Sequence, residues 1–108
     1  MGTQQLPSAY RRFAEAHPEL VRAYEQLGET CLQDGPLDRK SAELVKLGIA
    51  VGARLEGAVH AHVRRALEAG ATRDEILHAI RLALTTVGFP TMMATLSWAN
   101  DVLAAEAG

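Results

Sequence analysis

Cysteine occurs once in the 108 residues, at Cys31, which excludes an intramolecular disulfide, a Cys-x-x-Cys redox pair and a multi-cysteine zinc site. Excess charge is missing too. Eleven Lys and Arg stand against 13 Asp and Glu, a net charge of −2. A surface for nucleic acid or anionic membrane needs clustered Lys and Arg in excess, so no such partner is expected. The longest apolar runs are interrupted by charge, so no membrane span is expected. The opening residues Met1 to Leu6 have neither the basic stretch nor the apolar stretch of a signal peptide, and Leu6 stands where the myristoylation pattern wants Ser or Thr. A soluble cytoplasmic protein is the expectation. Alternating strand patterns, internal repeats and low-complexity segments are absent, as are a Ser/His/Asp triad and a phosphate-cradling glycine loop.

What is present is helical. Hydrophobic residues make up 48% and charged residues 22%, enough for a packed core without a metal or disulfide staple. One domain over residues 1–108 is expected, with residues 1–17 as a short N-terminal helical segment. Tyr10 to Ala16 reads as a short amphipathic helix anchored by Phe13. His17-Pro18 breaks it and opens a helix to about Leu32, with Leu20, Tyr24 and Leu27 on one side. Asp38 caps a third helix to about Ala53, apolar nearly all round and hence expected to be central. A fourth runs from about Leu55 to Ala69 and stops at Gly70. The capping box Thr72-Arg73-Asp74-Glu75 starts a fifth, expected to reach about Val87. Gly88-Phe89-Pro90 turns the chain into a last helix, about Thr91 to Ala104. The fold class is all-α, with about six helices covering about three quarters of the chain, against a usual one third.

Few residues carry chemistry. At about 100° per residue, His62 falls about 20° from Leu55, inside the apolar arc with Val59 and Ala66 and away from Arg64 and Glu68. It is expected to point inward, where an imidazole needs a partner. Two readings stand: a core histidine bonded to a carbonyl, or one member of a covered acid–base pair. Glu43 is the natural partner, near the start of the most apolar helix with Leu47 and Ala50 on its face. It is either a helix-start acid favoured by the macrodipole or the carboxylate that tunes His62. His60 lies about 200° from His62 on the wheel, so the two cannot chelate one ion. No His-x-x-x-His pair exists, and neither a metal nor another cofactor is expected. His17 and His78 read as surface residues, and Cys31 as a passive thiol with no basic neighbour. Trp98, Met92 and Met93 sit at core or interface spacing. Gly48 and Gly52, four apart, read as a close helix–helix approach.

Residues from about Arg39 to Trp98 (39–98) resemble the carboxymuconolactone decarboxylase family, which includes the alkylhydroperoxidase D-like proteins. The likeness is carried by Glu43-Leu44-Val45-Lys46-Leu47-Gly48-Ile49-Ala50-Val51-Gly52 and by the stretch from His62 to Ile76. The distinctive part of that stretch is Ala66-Leu67-Glu68-Ala69-Gly70-Ala71-Thr72, followed by Glu75-Ile76. The resemblance implies an alkylhydroperoxidase D-like helical bundle in which two antiparallel core helices carry the active site. It also implies homo-oligomers built across helical faces, commonly trimers or hexamers.

The peroxidase branch of that family has a Glu, then a Cys-x-x-Cys, then a His, and these positions fall on Glu43, Leu55, Ala58 and His62. Both thiols are missing, and neither Leu nor Ala can supply a thiolate. The decarboxylase branch also lacks the cysteines and has a histidine resembling His62, although its Glu position is not reliably acidic. The combination favours acid–base chemistry of decarboxylase or lyase type on a small organic acid or lactone, with Glu43 and His62 as the catalytic pair. Arg54 and His60 are weaker candidates for holding a substrate carboxylate. Gly57 and Ala58 are expected to leave room for a ligand beside His62. The alternatives are an alkylhydroperoxidase-like antioxidant without its Cys-x-x-Cys, and a non-catalytic oligomer that binds a small molecule. Apolar sides on nearly every helix give oligomerisation a physical motive of their own.

Overall fold

A computed structural model describes residues 7–107. Residues 1–6, on which the leader and acylation readings rest, and residue 108 lie outside the described residues. The chain, expected as one domain, divides at Pro36–Leu37 into two compact units.

The first unit is a pair of helices, α1 (Ser8–Ala16) and α2 (Pro18–Gln33). His17 ends one and stands before the other without a side-chain cap bond, and Pro18 takes the first helical position, where its missing N–H costs nothing. Tyr10 Oη donates to Glu25 Oε2 at 3.1 Å, and the Phe13 and His17 rings lie 4.9 Å apart. Neither helix has a buried residue, and Phe13, Leu20, Tyr24 and Leu27 are all exposed.

The second unit packs α3 (Arg39–Gly52), α4 (Glu56–Glu68), α5 (Arg73–Arg81) and α6 (Phe89–Ala107). Its caps are those the sequence signals. Asp38 Oδ1 accepts from the Ser41 amide at 2.7 Å, and that bond holds the Asp38 carboxyl below its ordinary pKa. Thr72 and Glu75 form a reciprocal capping box, with bonds of 3.0 and 2.9 Å. Gly70 follows α4 at a φ of +98°, a conformation that a side chain would strain. Leu47, Val51, Val59, Val63, Ile76 and Ile80 form the sealed centre, with Ala66 and Ala99 letting the helices close over it. Thr95 is the polar exception in α6. Its hydroxyl donates to the carbonyls of Thr91 and Met92, so it is buried at no hydrogen-bonding cost. No described helix is long and apolar enough to cross a membrane.

Three expectations need correction. The fifth helix does not run as α-helix to Val87. It ends at Arg81 and tightens into a 3-10 turn over Leu82–Thr85. The Ala83 carbonyl gathers the amides of Thr86, Val87 and Gly88 at 2.8 to 3.1 Å, and Gly88 has a φ of +104°. The β-branched run Thr85-Thr86-Val87 has little helical preference to oppose that closure. Secondly, α3 is not covered all round. Glu43, Leu47, Ala50 and Val51 are buried, whereas Val45 and Ile49 on the outer face are 50% and 65% exposed. Apolar composition alone does not tell which stripe of a helix the same unit covers.

Thirdly, Gly48 and Gly52 do not mark a close approach of helices. A Cβ added at Gly48 would meet nothing within 4 Å, and one at Gly52 only Val87 Cγ1 at 4.0 Å. The two glycines line a groove of about 600 Å³, between α3 on one side and α5 and the 3-10 turn on the other. Leu44, Val45, Leu82 and Val87 make its walls apolar, with Glu75 and His78 as polar groups.

Thr72→Ala removes the hydroxyl half of the capping box. It should cost about 1 kcal/mol of unfolding free energy, read as a lower urea midpoint at unchanged slope. An unchanged midpoint would show that the box contributes nothing measurable.

Candidate functional site

Glu43 and His62 come from facing helices. Glu43 lies on the inner stripe of α3, one turn before Leu47 and two before Ala50, and all three are buried. His62 lies on α4 between Val59 and Ala66, both fully sealed. Its Nδ1 is 3.0 Å from Glu43 Oε1, with side-chain exposures of 12% for the histidine and 2% for the glutamate. Of the two partners left open for His62, the contact is to the Glu43 carboxyl, and it is covered.

A carboxylate oxygen only accepts, so Nδ1 carries the hydrogen and donates it. That assignment leaves Nε2 as the basic nitrogen of the neutral ring. Burial disfavours the imidazolium and is the largest influence on His62, whose pKa lies below the ordinary 6.5. The Glu43 carboxylate opposes that shift, whereas the charges of Lys46 and Arg65 reinforce it. The neutral ring is therefore the form favoured at neutral pH. Lys46 lies one turn after Glu43, and Arg65 one turn after His62, so two cations flank the pair. Sequence reasoning did not single them out, although the i, i+3 spacing from each member of the pair was a legible signal.

The other proposed residues lie elsewhere. Arg54 occupies the corner between α3 and α4 in the left-handed conformation (φ +55°), and its Nη1 donates to Thr91 Oγ1 on α6 at 2.8 Å. His60 also turns to α6, with Nε2 3.6 Å from Asp101 Oδ2. Of the two expected carboxylate holders, Arg54 is thus bonded to α6 and His60 only faces it, whereas the Glu43–His62 contact joins α3 to α4. Leu55 precedes the first turn of α4 and is exposed, and Ala58 is half-buried. Gly57 has open space where a side chain would stand. The groove of the previous section has neither Glu43 nor His62 in its lining.

The pair has a pH signature. Because the folded pKa of His62 is lowered, the unfolded chain takes up this proton first as pH falls. The stability contributed by His62 is full above about 6.5, is lost as pH falls from there to the folded pKa, and changes no further below it. A titration followed by NMR should place the His62 midpoint below 6.5. Glu43→Gln removes the opposing charge and should move it lower still; an upward move would contradict this account of the pair.

Comparison with known proteins bears on the whole arrangement. The sequence profile described as "Carboxymuconolactone decarboxylase family" matches residues 18–101. An uncharacterised Haemophilus influenzae protein is 30% identical over 64 residues, which cover 59% of this chain and 57% of that protein. The match thus spans little more than half the length of that relative. An uncharacterised protein of Methanocaldococcus jannaschii is 31% identical over 77 residues, 70% of this chain and 74% of its own. Among solved structures, a carboxymuconolactone decarboxylase family protein from Legionella pneumophila, crystallised in its apo form, superposes with a TM-score of 0.74 at 26% identity. That superposition covers 90% of this chain and 87% of the other. With the profile spanning most of the sequence and a solved member sharing the helical fold, the chain belongs to the carboxymuconolactone decarboxylase family.

Proposed function

We propose that the protein is a non-redox acid–base enzyme of decarboxylase or lyase type acting on a small organic acid or lactone. The reading rests on one contact, the covered hydrogen bond between Glu43 Oε1 and His62 Nδ1. His62 is the proton-transfer group through Nε2, and Glu43 is the positioning residue that fixes its tautomer and ring orientation. Lys46 and Arg65 make the surroundings favourable to an anionic substrate. In a decarboxylation, the bond from carbon to the carboxylate breaks, carbon dioxide leaves, and the electron pair stays on carbon. The protonated minority form of the His62 ring then delivers its Nε2 proton there and returns to the neutral ring, which takes its next proton from solvent. In an isomerase step, the neutral ring takes a proton from one carbon and returns it to another as the double bond shifts; in a lyase step, it takes a proton from carbon while the neighbouring carbon loses its leaving group and a double bond forms between the two. Thiol-based peroxide reduction has no support in this chain. Leu55 and Ala58 hold the positions that the family's peroxidases give to cysteine, and Cys31 lies in the other unit.

We propose further that the protein works as a symmetric homo-oligomer, a trimer or hexamer. The motive is the uncovered apolar surface of the second unit, which includes Val45, Ile49, Leu82, Val87 and Phe89. Light scattering should give a multiple of the 11.6 kDa chain mass, and Ile49→Lys should shift it toward monomer. A stable wild-type monomer would rule this out.

The catalytic reading is tested by thermal-shift screening with lactones, muconate-like dicarboxylates and quinones, followed by turnover assays on whatever binds. His62→Ala should lower kcat/KM by a factor of about 100 or more, and Glu43→Gln should lower kcat with a smaller effect on KM. Full turnover in both variants would end the proposal.

A further inference from the structure

α4 carries a second imidazole on its opposite side, outside the Glu43–His62 pair. His60 Nε2 is closed off from water and has no hydrogen-bond partner, an uncommon state for a buried ring nitrogen. The nearest acid, Asp101 Oδ2 on α6, stands 3.6 Å away, too far for a hydrogen bond. Glu56, one helical turn before His60 on the same face, brings a second carboxylate. One ligand atom from each of the three lies within 4.8 Å of the others.

We infer that Glu56, His60 and Asp101 form a binding site for a divalent transition metal of the zinc class. Zinc bonds to imidazole nitrogen and carboxylate oxygen at about 2.0 to 2.2 Å, which sets tetrahedral ligands about 3.4 Å apart. The His60–Asp101 separation of 3.6 Å is close to that edge. The charge balance points the same way. Two carboxylates beside one imidazole offer the negative charge and mixed nitrogen and oxygen donors that a dication takes, and one histidine with two carboxylates suits zinc better than it suits calcium or magnesium. Three protein ligands leave a fourth position for water, toward the side where Glu56 and Asp101 are exposed. An occupied site would tie α4 to α6.

The test uses the full chain, freed of metal with a chelator, in calorimetric titration with Zn²⁺ and optical titration with Co²⁺. The expected result is one ion per chain, visible absorption bands of four-coordinate Co²⁺, and a rise in Tm of roughly 10 °C at a hundredfold excess over Kd. His60→Ala, Asp101→Asn and Glu56→Gln should each weaken binding at least tenfold. Cys31→Ser and His62→Gln should leave it unchanged, which separates this site from the Glu43–His62 pair. Asp101 is 65% exposed, so Asp101→Asn serves even where His60→Ala fails to fold. Absence of binding at millimolar Zn²⁺, or binding that persists in Asp101→Asn and Glu56→Gln, would overturn the assignment.

Discussion

A carboxylate 2% exposed is stable inside an apolar helix interface only with something to hold it, and here that is one imidazole nitrogen at 3.0 Å. The bond joins α3 to α4 and fixes the rotation of each helix relative to the other. With Glu43 turned inward, Leu47, Ala50 and Val51 follow it into the core, and with His62 turned inward, so do Val59, Val63 and Ala66. The pair therefore ties the register of the packing to the same contact on which the proposed proton transfer rests. A purely apolar pair at these two positions would pack as readily and would have no chemistry.

The electrostatics of the pair follow from a contest. Burial works against the charged imidazole, and the Glu43 carboxylate works for it. Burial prevails, with help from Lys46 and Arg65. A neutral ring whose tautomer is fixed by its neighbour is a competent base without being permanently protonated. The cations that depress its pKa also have the sign that the proposed anionic substrate would need.

The inward turn of His62 was legible from the helical wheel, and its partner from the apolar row that follows Glu43. The capping box at Thr72 and the cap at Asp38 were legible because those signals are local. What escaped the sequence was non-local. Asp101 meets His60 only because α6 lies along α4, a fact of tertiary packing with no trace in spacing. Arg54 looked free to hold a substrate, but the left-handed corner directs it to Thr91. The outer face of α3 misled for the same reason: Val45 and Ile49 have the composition of a core stripe without a neighbour from their own unit to cover them.

Glu75 joins two of these features with its two oxygens. Oε1 accepts from the Thr72 amide to start α5, while Oε2 accepts from Lys40 Nζ on α3 at 3.0 Å, and Glu75 itself lines the groove. Because the duties fall on separate oxygens, loosening one does not require giving up the other. Loss of the Lys40 contact would leave the bond that starts α5 in place. One side chain is thus a shared rivet: through it the start of α5 is fastened both to its own backbone and to α3.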